Sequence, residues 1–154
     1  MLTYVIEDSP AKASAILHFL GARYPDCLAH LYASFQSGLK QVESLTPQLI
    51  ILDMTLPTFD RVPNGREGRS RPLGGYDLLR KLRHRMINCK VIVVTQLETF
   101  GEGEDKISFA EITSVCEREF PGLFVGSVYF DQGSTNWQGQ LGSLIDEVRK
   151  EGTC

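Results

Sequence analysis

A chain of 154 residues, 42% hydrophobic and 23% charged, can build one well-cored domain and is short for two. Its formal net charge of -3 argues against a general nucleic-acid binder, and no run reaches the roughly 18 to 20 apolar residues of a membrane span. The opening MLTYVIEDSP has no basic start, so no secretory signal is read and a cytoplasmic protein without membrane contact is expected.

In chain order, LTYVI (Leu2–Ile6) reads as a strand that runs into Glu7 and Asp8. Ser9 is a good N-cap, and Pro10 suits a first helical turn. Ala13, Ile16, Leu17 and Leu20 then recur at helical spacing. Residues 27–33 form a second strand candidate, made less regular by His30, and Leu39, Val42 and Leu45 mark a short helix closed before Pro47. QLIILD predicts a third strand ending on Asp53. Residues 57–74, rich in Arg, Pro and Gly, carry no period and predict an extended loop. Tyr76, Leu78, Leu79, Leu82 and Met86 give an amphipathic helix with a basic outer face. KVIVVT (Lys90–Thr95) is a fourth strand, and LETFGEGED a second loop. A helix over 106–120, a strand over 123–130 and a last helix from Trp137 through Val148 complete the chain, with Thr135 or Asn136 as the last cap.

Five strand-helix units with near-continuous aliphatic strands predict an α/β fold: a five-stranded parallel sheet in a flavodoxin-like three-layer sandwich. One domain over 1–154 is expected, with the Arg/Pro/Gly-rich insertion at about 57–74.

Ligand sites of such sheets form beyond the carboxyl ends of the strands. Glu7, Asp8, Asp53 and Thr95 all fall there. Separately, each has a structural explanation: a helix N-terminus for Asp8, a loop cap for Asp53, β propensity for Thr95. Together, three carboxylates repel unless a cation lies among them, and hard oxygen donors suit Mg²⁺.

These residues resemble the receiver domain of two-component response regulators. The resemblance implies that Glu7 and Asp8 hold Mg²⁺ with Asp53 and the Thr55 backbone carbonyl. It implies that Asp53 in LIILDMTLP accepts a phosphoryl group and that Thr95 contacts it and switches. Pro57 matches the proline four beyond the phosphoacceptor. The implied partners are a histidine kinase or phosphotransfer protein upstream and an effector protein downstream. The resemblance further implies chemistry limited to autophosphorylation and autodephosphorylation at Asp53, not that of an enzyme acting on other molecules.

Two departures stand out. The glycines that lead into the third helix, Gly74 and Gly75, follow only after the insertion. The family's lysine after the fifth strand is missing: Phe130, Asp131 and Gln132 stand in its place, with Tyr129 near the family's switch aromatic. An arginine of the insertion, Arg61, Arg66, Arg69 or Arg71, could substitute for it by folding back over the site. The missing lysine also keeps a second reading open, a pseudo-receiver that binds partners without being phosphorylated.

Nine of the 16 basic residues lie between Arg61 and Lys90, against two of the 19 acidic ones. A solvated face or a partner surface explains this better than nucleic acid, because no DNA- or RNA-binding motif is present. No output segment follows the fifth helix, so the effector is expected on another chain or on a separate partner domain. Cys27, Cys89, Cys116 and Cys154 show neither a CxxC pair nor zinc spacing and read as reduced thiols. A dehalogenase-type phosphatase would need an acid two residues beyond Asp53, where Thr55 stands, and no G-x-G-x-x-G follows the first strand.

Overall fold

Aliphatic strands with no polar face must be covered on both sides, and the computed structural model meets that demand with helices on each. It describes residues 1–60 and 70–152, apart from the side chains of Ser70, Arg71 and Asp105. The elements are β1 (Leu2–Ile6), α1 (Pro10–Arg23), β2 (Leu28–Tyr32), α2 (Phe35–Ser44), β3 (Leu49–Leu52), β4 (Leu56–Pro57), β5 (Ser70–Arg71), α3 (Gly74–His84), β6 (Lys90–Thr95), β7 (Thr99–Phe100), β8 (Ile107–Ser108), α4 (Phe109–Glu119), β9 (Phe124–Tyr129) and α5 (Asn136–Glu151).

Five strands form one parallel sheet in the order β2-β1-β3-β6-β9, as expected. Side chains alternate across it with period two. Val5, Leu49, Ile51, Ile92 and Val94 face α1 and α5, where they meet Ile16, Leu20, Leu141 and Ile145. Tyr4, Ile6, Ile50, Leu52, Val91 and Val93 face the other way, toward Leu39 and Val42 of α2, Leu79 and Leu82 of α3, and Cys116 of α4. The winding direction reverses between β1 and β3, so the segments leaving these neighbours diverge and open a crevice at their carboxyl ends.

Local chemistry sets the helix starts. The Ser9 side chain accepts the Lys12 backbone N–H at 3.5 Å, with Pro10 in the first turn. Ser34 and Ser37 bond reciprocally in a capping box, so α2 begins at Phe35. Thr135 takes the N-cap position of α5 without a side-chain cap bond; the Ser134 hydroxyl accepts the Asn136 N–H at 3.0 Å instead.

The two expected loops are corrected in part. The loop over 57–74 is joined at its neck by the antiparallel pairing of β4 with β5. The second loop carries another antiparallel pair, β7 with β8, that seats Phe100 in the core at 1% exposure. Because Ile107 and Ser108 belong to that pair, α4 starts at Phe109, with Ser108 accepting the Glu111 N–H at 3.1 Å. Such two-residue pairings have no sequence period to reveal them.

Candidate functional site

Register brings the predicted residues together. Ile6 pairs with Leu52, so the next residues on each strand, Glu7 and Asp53, leave the sheet side by side. The Asp53 backbone N–H donates to the Ile6 carbonyl at 3.0 Å. One ligand oxygen from each of Glu7, Asp8 and Asp53 falls within 4.8 Å of the others. Glu7 is buried at 2% exposure and Asp53 at 9%, while Asp8 is half-buried.

The tight approach of α3 contributes to this placement. Gly75 donates its N–H to the Met54 carbonyl at 2.8 Å, and a Cβ on Gly75 would stand 2.5 Å from the Asp53 carbonyl oxygen. Only glycine admits the helix so close to the backbone that carries the carboxylate.

An open pocket of about 300 Å³ lies in front of Asp53, lined by Asp8, Ser9, Pro10, Thr55, Gln96 and Leu97. Thr55 is half-buried, and its hydroxyl donates to the Pro72 carbonyl at 3.3 Å. Thr95 ends β6 at 1% exposure, and its hydroxyl oxygen accepts the Leu97 N–H at 3.3 Å. Thr95 itself does not line the pocket, whereas the residues that follow it, Gln96 and Leu97, do. The larger hollow, about 460 Å³, lies around Met1, Gln48 and Lys90 at the opposite end of the strands, away from the carboxylates.

The residue that sequence reasoning missed is Lys12. It sits in the first turn of α1 at 1% exposure, with Nζ 2.5 Å from Glu7 Oε1 and 3.1 Å from Asp53 Oδ1. A cation at a helix N-terminus opposes the macrodipole, and an ammonium out of water is costly. The two carboxylates account for its position. A lysine in a capped first turn, where an acid is favoured, was the available signal. The other Glu7 oxygen, Oε2, accepts the backbone N–H groups of Asp8 at 2.8 Å and Ser9 at 3.2 Å. Burial, and then the Asp53 carboxylate, push the Glu7 carboxyl up to about 7 against the opposing pull of Lys12.

Beyond β9 no cation turns toward the site among the described residues. Phe130 is buried against Trp137 with ring centroids 4.9 Å apart, and Asp131 accepts the Gly133 N–H at 2.9 Å. Tyr129 is partly exposed and packs edge-on to Phe109 at 6.2 Å. Arg61, Arg66 and Arg69, and the side chain of Arg71, lie outside what is described.

With every group ionised, three carboxylates and one ammonium leave two negative charges, which one divalent cation neutralises. An all-oxygen donor set beside an open pocket suits a hard ion such as Mg²⁺.

No family model matches the chain. It is 33% identical over 117 residues to the Detocs response regulatory protein DtcB of Enterobacter cloacae, covering 75% of this chain and 78% of that protein. It is 28% identical over 139 residues to the uncharacterized protein y4jR of Sinorhizobium fredii, covering 90% and 92%. Among solved structures, a CheY-like response regulator receiver domain protein from Methanospirillum hungatei superposes with a TM-score of 0.63 at 16% identity, covering 99% of this chain and 96% of that one.

Proposed function

The chain belongs to the receiver family of response regulators, and we propose that it accepts a phosphoryl group on Asp53 from a histidine kinase or phosphotransfer protein. The carrying observation is Asp53 itself: a carboxylate at a strand end, open to a pocket, with Asp8 and Glu7 within ligand distance. We take 1–154 as one receiver domain working in the cytoplasm; no helix among the described residues is long and apolar enough to cross a membrane.

Glu7, Asp8 and Asp53, with the Thr55 backbone carbonyl, would hold Mg²⁺. The bound ion supplies charge neutralisation on the transferred oxygens. An Asp53 oxygen attacks phosphorus, and the donor's P–N bond breaks with its electron pair on the departing imidazole nitrogen. The Asp53 N–H bond to the Ile6 carbonyl and the Lys12 ion pair restrain the attacking carboxylate, which favours a small reorganisation before attack. The Thr95 hydroxyl, at the adjacent strand end, is the group we assign to contact the phosphoryl oxygens. Its engagement there would release Leu97 and pass the change to a partner protein. The chain then acts on itself alone, by gaining and losing the phosphoryl group.

Intact mass after incubation with Mg²⁺ and a small phosphodonor tests this reading. One added phosphoryl group on the native chain and none on Asp53→Asn is the expected result. No gain on either, under forcing conditions, favours the pseudo-receiver that binds without phosphorylation. The lack of a lysine directly after β9, where Phe130, Asp131 and Gln132 stand, is the observation that favours that second reading.

A further inference from the structure

We propose that Lys12, from the first turn of α1, supplies the fixed positive charge that stabilises the phosphoryl group as it reaches Asp53. The inference rests on the receiver reading above and adds a residue to it.

Three observations carry it. Lys12 Nζ is 3.1 Å from Asp53 Oδ1, so a group added to that carboxylate comes within reach of the ammonium. Nζ is buried and has no aligned hydrogen-bond partner: it approaches Glu7 Oε1 and Asp53 Oδ1 closely without hydrogen-bond geometry to either. An ammonium carries three donors, so its donor capacity remains for a phosphoryl oxygen. Finally, Lys12 does not line the open pocket, whereas Asp8, Asp53 and Thr55 do. A cation can therefore be held on the pocket side while Lys12 holds the inner side, and the two charges flank the carboxylate without competing for one place.

In the step itself, an Asp53 oxygen forms the new O–P bond and the donor's P–N bond breaks. The electron pair stays on nitrogen, which takes up a proton from solvent. Lys12 remains an ammonium throughout and gives up no proton. Its contribution is preorganised charge in a site of low dielectric, where one such donor changes rates strongly. The side chain is held by Glu7, whose second oxygen is tied to the backbone entry of α1.

The test uses the whole chain with Mg²⁺ and phosphoramidate, following mass gain with time, with Mg²⁺ affinity measured by calorimetry. Lys12→Met is compared with Lys12→Arg, and with the double variant Lys12→Met, Glu7→Gln, which removes the buried pair together and protects the fold. The expected result is phosphorylation slowed roughly tenfold or more in both Met variants. Lys12→Arg should recover part of the rate, and Lys12→Met should bind Mg²⁺ at least as tightly as the native chain. This split, slower transfer without weaker metal binding, is what a merely structural lysine would not give. Native rates in the Met variants overturn the inference and leave the receiver reading standing. Parallel collapse of rate, Mg²⁺ affinity and melting temperature in all three variants also overturns it. A native chain that gains no phosphoryl mass overturns the receiver reading, and the role of Lys12 with it.

Discussion

Gly75 faces the Asp53 carbonyl so closely that a β-carbon there would stand 2.5 Å from its oxygen and 2.8 Å from the Met54 α-carbon. Both obstacles are backbone atoms, which cannot swing aside as a side-chain end can. Gly75→Ala is therefore expected to push α3 off the strand end or drag Asp53 with it. The cost should be about 1–3 kcal/mol in urea unfolding. Phosphorylation of Asp53 should fall further than the stability loss alone explains. Unchanged unfolding and mass gain would show that α3 does not fix the carboxylate.

Asp8 lines the open pocket while Glu7 is spent on two backbone N–H groups and Lys12. Removing one negative charge at Asp8 should weaken Mg²⁺ binding most directly. Asp8→Asn is expected to raise the Mg²⁺ dissociation constant about tenfold or more, a loss of roughly 1.4 kcal/mol. Calorimetric titration measures it, and chelation of Mg²⁺ should stop phosphorylation of the native chain. An unaltered affinity in Asp8→Asn would remove Asp8 from the proposed ligand set.

Leu79 is fully buried on the α3 side of the sheet, in the same cluster as Ile50 and Leu52, which precede Asp53. Leu79→Ala removes apolar area and leaves a cavity that this close-packed layer cannot readily fill. About 2–5 kcal/mol of stability should be lost. Urea denaturation followed by Trp137 fluorescence reads it, because that indole is buried on the opposite face and reports global unfolding.

Burial pushes the thiols of Cys89 and Cys116 up from 9.0 to about 12. Both are neutral at pH 8, where iodoacetamide should leave them unlabelled in the native chain and label them in urea. Since their folded values lie above the unfolded ones, the folded state keeps its protons longer. This contribution is fully present below about pH 9 and is lost as pH rises from there toward 12. The urea midpoint should therefore fall between pH 8 and pH 10.5, and fall less when both residues are alanine.

The sheet was legible because its strands had no polar face: LIIL and VIVV could only be buried strands in a chain of alternating strands and helices. Glu7, Asp8 and Asp53 were legible for the same reason, since a strand end fixes where the next residue emerges. Lys12 was not. Its burial depends on two carboxylates from strand ends, and only its place in a capped first turn, where an acid is favoured, set it apart from a solvated lysine. The β4–β5 and β7–β8 pairings escaped because two-residue ladders are decided by partners distant in sequence, such as Pro57 with Ser70 and Leu56 with Arg71, and not by any period along the chain.

Both excursions near the carboxylates are pinched at the base, one where Leu56 meets Arg71 and the other where Thr99 meets Ser108. The Phe109 N–H also donates to the Glu98 carbonyl at 2.8 Å, tightening the second neck. A closed neck separates the length of a loop from the span it bridges. Each doubling of what lies beyond the pinch costs only about 0.6 kcal/mol in closure entropy. The tip beyond the second neck is thus a natural grafting point: peptide inserted or trimmed there should leave the distances among Glu7, Asp53 and Lys12 as they are.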